Sequence, residues 1–174
     1  MTTYDATRAH IFLYTFKEGM LSALAHDLKI EVTRADVQVD AAAKTVTAEI
    51  AADSLRVVTV MKKGQEARDE LGPDHFKKIE KAIVDDVLHA SKHPKIRFTS
   101  TAVREHDGGV AIEGTLELHG RSRSIAFAAR RVGEVWTAQL DLHQPDWGIT
   151  PYSAMMGTLK VKPTLQVSLS VPAA

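Results

Sequence analysis

The sequence predicts a mostly β fold, an antiparallel barrel of eight strands with one main amphipathic helix inserted between the third and the fourth. Three observations predict it. Apolar and polar residues alternate with period two over most of the chain. Glycine-bearing turns at 107–109 and 119–122 join the central runs, and the period changes to spacings of three and four in a single stretch, 76–88. Alternation sends one set of side chains to a buried face and the other to water. Eight antiparallel strands closed on themselves leave no unpaired edge.

The elements follow in order. Residues 9–16 alternate, with Phe12, Tyr14 and Phe16 on one side, and the aromatic and β-branched content suits a strand. Residues 20–25 are rich in Ala and Leu and read as one helical turn. Leu28, Ile30 and Val32 then share a face, but Ala35, Val37 and Val39 carry the pattern on the other parity. Such a phase change marks a β-bulge or a corner. The third strand starts with Val46, Ala48 and Ile50 and ends near Ser54.

The helical stretch belongs to an insertion over about 61–93. Phe76, Ile79, Ile83 and Val87 recur along one helix face, Gly72-Pro73 suits its start, and Pro94 is expected to stop it. The charged segment 61–70 is open between a loop and a shorter helix. Strands four to six form a meander over 91–131: Ile96, Phe98, Ser100 and Ala102, then Val110, Ile112, Gly114, Leu116 and Leu118, then a less regular run from Ser124 to Arg131. Trp136, Ala138, Leu140 and Leu142 define the seventh strand. The eighth runs from Leu159 to Val171, with Pro163 marking a bulge, an edge or a corner.

Composition narrows the function. With 174 residues and 44% hydrophobic content the chain suits one domain, 1–174. A net charge of zero argues against a protein held by nucleic acid or an anionic membrane surface. There is no cysteine, and no apolar run approaches a membrane span. The first residues lack a basic segment followed by an apolar one, so the expected location is the cytoplasm. Inward parity places Phe12, Phe98, Phe127 and Trp136 inside, together with the small Ala48, Ser100, Gly114 and Ala138. The small residues leave room, which favours a lipocalin-like barrel with an elongated apolar cavity over a filled one.

Six motifs stand in order: Gly19-Met-Leu-Ser22, Ala25-His-Asp-Leu28, Asp53-Ser-Leu55, His93-Pro-Lys-Ile-Arg-Phe98, Gly114-Thr-Leu-Glu-Leu-His-Gly120 and Asp146-Trp-Gly-Ile149. In that order the chain resembles YceI-like proteins, from about Tyr4 to Val171. The resemblance implies a lipocalin-like barrel holding a long apolar molecule, polyisoprenoid or fatty-chain, and it allows a homodimer. The missing leader and the helical insertion set the chain apart as a cytoplasmic-looking branch. Parity and resemblance together give Phe12, Tyr14, Leu28, Ile30, Phe98, Leu116, Phe127, Trp136 and Leu140 as lining residues. Trp147, Tyr152, Met155 and Met156 read either as a gate at the mouth, thioethers being adaptable to irregular apolar shapes, or as packing under the loop.

Chemistry has little support in the residues. His89 and His93 share a helix face, but no third ligand stands near them in sequence, and no metal or cofactor is expected. His26 and Asp27 are adjacent on a strand and point apart, so they read as structural. His119 reads as a turn histidine bonding the backbone. No nucleophile elbow or phosphate loop is present. The basic group Arg121, Arg123, Arg130 and Arg131 reads as a solvated face or a contact for a lipid phosphate. The expected function is non-enzymatic binding or carriage of an isoprenoid or fatty-acyl lipid. The alternative is an interaction protein with a filled barrel that meets a partner through the helical insertion.

Overall fold

A computed structural model of the chain describes residues 1–19 and 25–173; the expected helical turn at 20–25 lies almost wholly outside them. In chain order the strands are β1 (Thr2–Asp5), β2 (His10–Thr15), β3 (Asp27–Val32), β4 (Ala35–Asp40), β5 (Thr45–Ala51), β6 (Leu55–Lys62) and β7 (Gln65–Ala67). Helix α1 (Pro73–Ala82) follows, then β8 (Lys95–His106), β9 (Gly109–Leu118), β10 (Arg121–Val132), β11 (Val135–His143), β12 (Ser153–Ala154), β13 (Leu159–Lys160) and β14 (Thr164–Pro172). Twelve of them form one antiparallel sheet in the order β1-β4-β5-β8-β9-β10-β11-β14-β2-β3-β6-β7, while β12 and β13 pair separately. The sheet curls into a half-barrel of twelve strands, not the eight expected.

The difference lies at the corners. Residues 27–40 are two strands: β3 pairs with β2 and β6, whereas β4 pairs with β1 and β5 at the opposite flank of the sheet. The chain turns between them at Thr33 and Arg34, and β5 and β6 turn alongside. Ser54, fully buried, ties the corner: Thr33 N–H donates to its carbonyl at 3.0 Å, and its hydroxyl donates to Ala51 O at 2.7 Å. Ala51 N–H in turn donates to Arg34 O at 3.1 Å. The phase change at 33–35 is thus a corner, and it folds the sheet around an interior.

β6 and β7 occupy the stretch after Ser54 that has no readable period. The cause is a register shift opposite Lys29 and Ile30, whose partners are Thr59 and Val57; Val58 between them bulges out. One extra residue breaks the alternation. These two strands stand between β5 and α1, so the helix follows β7 and does not directly follow the third expected strand.

β7 covers only the end of β6, pairing with Val60, Met61 and Lys62. Over the rest of that edge α1 packs instead, and the Glu80 carboxylate accepts a hydrogen bond from Val57 N–H at 2.8 Å. An edge strand left bare would be a template for wrong pairing. Gly72 is the N-cap and Pro73 the first helical residue, as expected. The C-terminal end differs: α1 widens into a π-helical turn over Ile83–Val87, Leu88 N–H reaches Ile83 O at 2.9 Å, and His89 leaves with a positive φ of 47°. The helix therefore stops before Pro94 is reached. Both central hairpins close with two residues of positive φ, Asp107-Gly108 and His119-Gly120, the backbone that matches strand twist. Pro163 separates β13 from β14, and its carbonyl accepts from Gln144 N–H at 2.9 Å.

Candidate functional site

The curled sheet encloses a cavity of about 1050 Å³ whose wall is mostly apolar. Each strand contributes every second residue: Ile11 and Leu13 from β2, Leu28 and Ile30 from β3, Val37 and Val39 from β4, Ala48 and Ile50 from β5. Phe98, Ile112, Leu116, Phe127, Trp136, Ala138 and Leu140 continue the wall from β8 to β11, and Leu165, Val167 and Leu169 complete it from β14. Helix α1 and its π turn add Ile79, Ile83 and Val87. The interior is not filled.

Of the expected lining residues, Leu28, Ile30, Phe98, Leu116, Phe127, Trp136, Leu140, Trp147 and Tyr152 lie on this wall. Phe12, Tyr14 and Met155 do not. On β2 the inward parity belongs to Ile11, Leu13 and Thr15, not to the aromatic row. Phe12 lies on the outer face, where Lys29 Nζ sits 4.6 Å from the ring centroid and His10 stacks at 6.3 Å. A cation over an aromatic face and a covering alkyl stem make that row comfortable outside. Met155 and Met156 are exposed on the turn between β12 and β13 and do not line the cavity; of that group Tyr152 and Trp147 reach it. The residues that the alternation missed, Val37, Ile79 and Ile83 among them, were visible as apolar but could not be placed without the corner and the helix docking.

The small residues divide in the same way. Ala48 and Ala138 face the cavity. At Gly114 the room is already taken: a Cβ there would stand 2.5 Å from Phe98 Cε2 and 2.6 Å from Thr99 O. Ser100 accepts a hydrogen bond from Val46 N–H at 2.8 Å, serving the wall. A register shift between Ser100 and Ala102 then flips the parity of β8, so Val103 lines the cavity and Ala102 does not.

The two ends of the cavity differ. At one, Asp40, Lys44, Arg104, Glu105 and Arg131 form a charged rim. Arg131 is the member of the expected basic group that reaches the cavity; Arg123 Nε–H donates to Asp146 O at 3.0 Å, and the Arg121 guanidinium lies against Gly148. At the other end the buried Leu88, Leu118, Trp147 and Ile149 line the space together with Tyr152. Trp147 is buried there, and its indole N–H donates to Leu116 O at 3.2 Å.

His26 and Asp27 go separate ways, as expected of adjacent residues entering a strand. His26 faces the cavity, while Asp27 accepts from Lys17 N–H at 2.7 Å. His89 and His93 converge on His119, with ring centroids 5.4 and 4.7 Å from it. The expected turn-binding role of His119 is only partly met, because its Nε2 is buried without a hydrogen-bond partner. Burial holds the His119 imidazole below its ordinary value; the Trp147 main chain pulls the other way, and His93, His89 and Arg121 push it lower. Among the described residues no group of three His, Cys, Asp or Glu is arranged to hold a metal ion.

A family model described as YceI-like domain matches residues 4–173. The chain belongs to the YceI-like family. Solved structures with the same fold include BcnA of Burkholderia cenocepacia, at 14% identity and a TM-score of 0.65, covering 95% of this chain and 96% of that one. A polyisoprenoid binding domain from Saccharophagus degradans, implicated in plant cell wall breakdown, has 11% identity and a TM-score of 0.57, over 93% and 91%. The YceI protein of Campylobacter jejuni has 15% identity and a TM-score of 0.59, over 84% and 85%. At these identities the likeness shows a shared fold alone. No curated protein matches the chain.

Proposed function

We propose that this YceI-like chain binds or carries a long apolar molecule, of isoprenoid or fatty-acyl type, inside the half-barrel without transforming it. The observation that carries the reading is the cavity itself, about 1050 Å³ walled by aliphatic and aromatic side chains. That volume stands at the upper end of ligand-sized pockets, roughly 300–1,000 Å³. Each buried methylene contributes about 0.8 kcal/mol, so a chain of ten or more carbons has ample drive even after the loss of its own freedom. The wall offers few polar atoms, so the tail is read by length and width, and a polar head is left at the rim beside Lys44, Arg104 and Arg131. The Saccharophagus domain's description as polyisoprenoid binding supports the same ligand class here. An interaction protein with a filled barrel is the weaker reading, since the interior is open.

Titration of delipidated protein with a polyprenol and with a fatty acid, followed by displacement of a fluorescent apolar probe, tests the proposal. Saturable displacement by either chain is expected. Failure of both to displace a bound probe contradicts it.

A further inference from the structure

The three imidazoles gathered at the Trp147 end of the cavity are not used by apolar binding, and their placement bears on it. Each of two follows a wall residue in the chain: Leu88 lines the cavity and His89 follows it, Leu118 lines the cavity and His119 follows it. The third segment of this end is the Trp147 turn, whose main chain meets His119. His93 comes from the loop after the π turn and packs on the hairpin, its Cε1 2.8 Å from where a Cβ on Gly120 would stand. The Arg121 guanidinium packs on the Trp147 turn in the same manner, its Cζ 2.7 Å from a Cβ on Gly148.

His119 is the member of the three with a buried, unpartnered ring nitrogen, whereas His89 is exposed. Among the described residues, the charged or titratable groups that act on His119 are His93 and His89 from the segment after α1, and Arg121 from β10. Asp146, in the same turn as Trp147, is exposed, and its main-chain oxygen accepts from Arg123 Nε–H. Of the neighbouring carboxylates, Asp85 is paired with Lys81, while its main-chain oxygen meets His89 Nδ1 at 2.7 Å. A proton on His119 therefore adds positive charge near Arg121, in a place where its Nε2 has no acceptor.

We propose that His89, His93 and His119 form an acid-sensitive latch: neutral, they hold the Trp147 end of the cavity shut, and protonated in mild acid they part and let the bound molecule leave. This rests on the cavity reading above and adds regulation to it. Protonation repels the rings from one another and from Arg121, the Trp147 turn lifts from the hairpin, and its indole leaves Leu116 O.

Two readouts on the whole chain test it between about pH 7.5 and pH 5, the range in which imidazoles titrate. The first is the affinity for N-phenyl-1-naphthylamine, an apolar probe uncharged throughout; the second is solvent exchange of the Trp147 indole N–H by NMR. In the unaltered protein, acid is expected to weaken probe binding roughly tenfold and, together with it, to lower the protection of the indole N–H, taken as its exchange rate relative to free indole at the same pH. In the double variant His93→Gln, His119→Asn both changes shrink, asparagine being a residue that tolerates the positive φ of 53° at position 119. Should that variant not fold, His89→Asn and His93→Gln singly provide the same comparison. Equal pH dependence in variant and unaltered protein, or an indole that stays protected at low pH, overturns the latch. Indole exposure in acid with unchanged probe affinity overturns its coupling to the cavity. Absence of probe binding at about pH 7.5 overturns instead the cavity reading, and with it the release of a ligand.

Discussion

Gly114 sits under the Phe98 ring, and that contact decides what the position tolerates. A methyl group there meets both the ring at 2.5 Å and the Thr99 carbonyl at 2.6 Å, one of which is main chain and cannot swing away. Gly114→Ala is expected to cost about 1–3 kcal/mol by overpacking, read as a lowered urea midpoint at constant slope. An unchanged midpoint would show that the ring yields. Ala138 is the opposite case, a small wall residue facing open space. Ala138→Trp is expected to fold and to lose apolar ligand affinity by at least roughly tenfold, about 1.4 kcal/mol, in a probe titration; full affinity in the folded variant would place the ligand elsewhere. Both residues were visible in the sequence as small and inward. What alternation could not show was that an aromatic neighbour had already claimed one of the two spaces. Phe12 failed for a related reason: parity gives two faces without saying which is inner, and the aromatic face of β2 lies outside because Lys29 covers it.

At the level of elements, legibility follows the period. The meander from β8 to β10, the β11 run and the amphipathic helix were readable because their patterns hold over many residues. The corner at Thr33 and Arg34 left its trace as a parity flip, since a strand that changes flank must turn its other side inward. β6 left none, because the bulge at Val58 mixes the two faces within four residues. The π turn after α1 was likewise hidden, as a five-residue hydrogen-bond span shifts the helix face only slightly. Helix docking rests on one main-chain group: with Glu80→Ala, Val57 N–H loses the carboxylate that accepts from it. A loss of about 1.5–3 kcal/mol is expected, the range for hydrogen bonds to charged groups, together with faster amide exchange at Val57. Unaltered stability and a protected Val57 amide would mean that α1 stays docked through its apolar face alone.

For the whole molecule, the depressed His119 pKa sets the sense of the acid response. Above 6.5, the ordinary imidazole value, neither folded nor unfolded chain holds that proton. Below it the unfolded chain takes up a proton that the folded one refuses, so this group lowers stability as pH falls toward its folded value. Urea midpoints at about pH 7.5 and pH 5.5 should therefore differ more in the unaltered protein than in His119→Asn, and equal differences would remove His119 from the account. The larger claim is that corners, bulges and a docked helix together keep an apolar interior open inside a sheet that would otherwise collapse on it. Native mass spectrometry of the protein purified from its own host tests this most directly. The account predicts a bound species of defined, lipid-range mass that is lost on delipidation; a spectrum showing only the bare chain, from protein that also refuses added polyprenol and fatty acid, would contradict it.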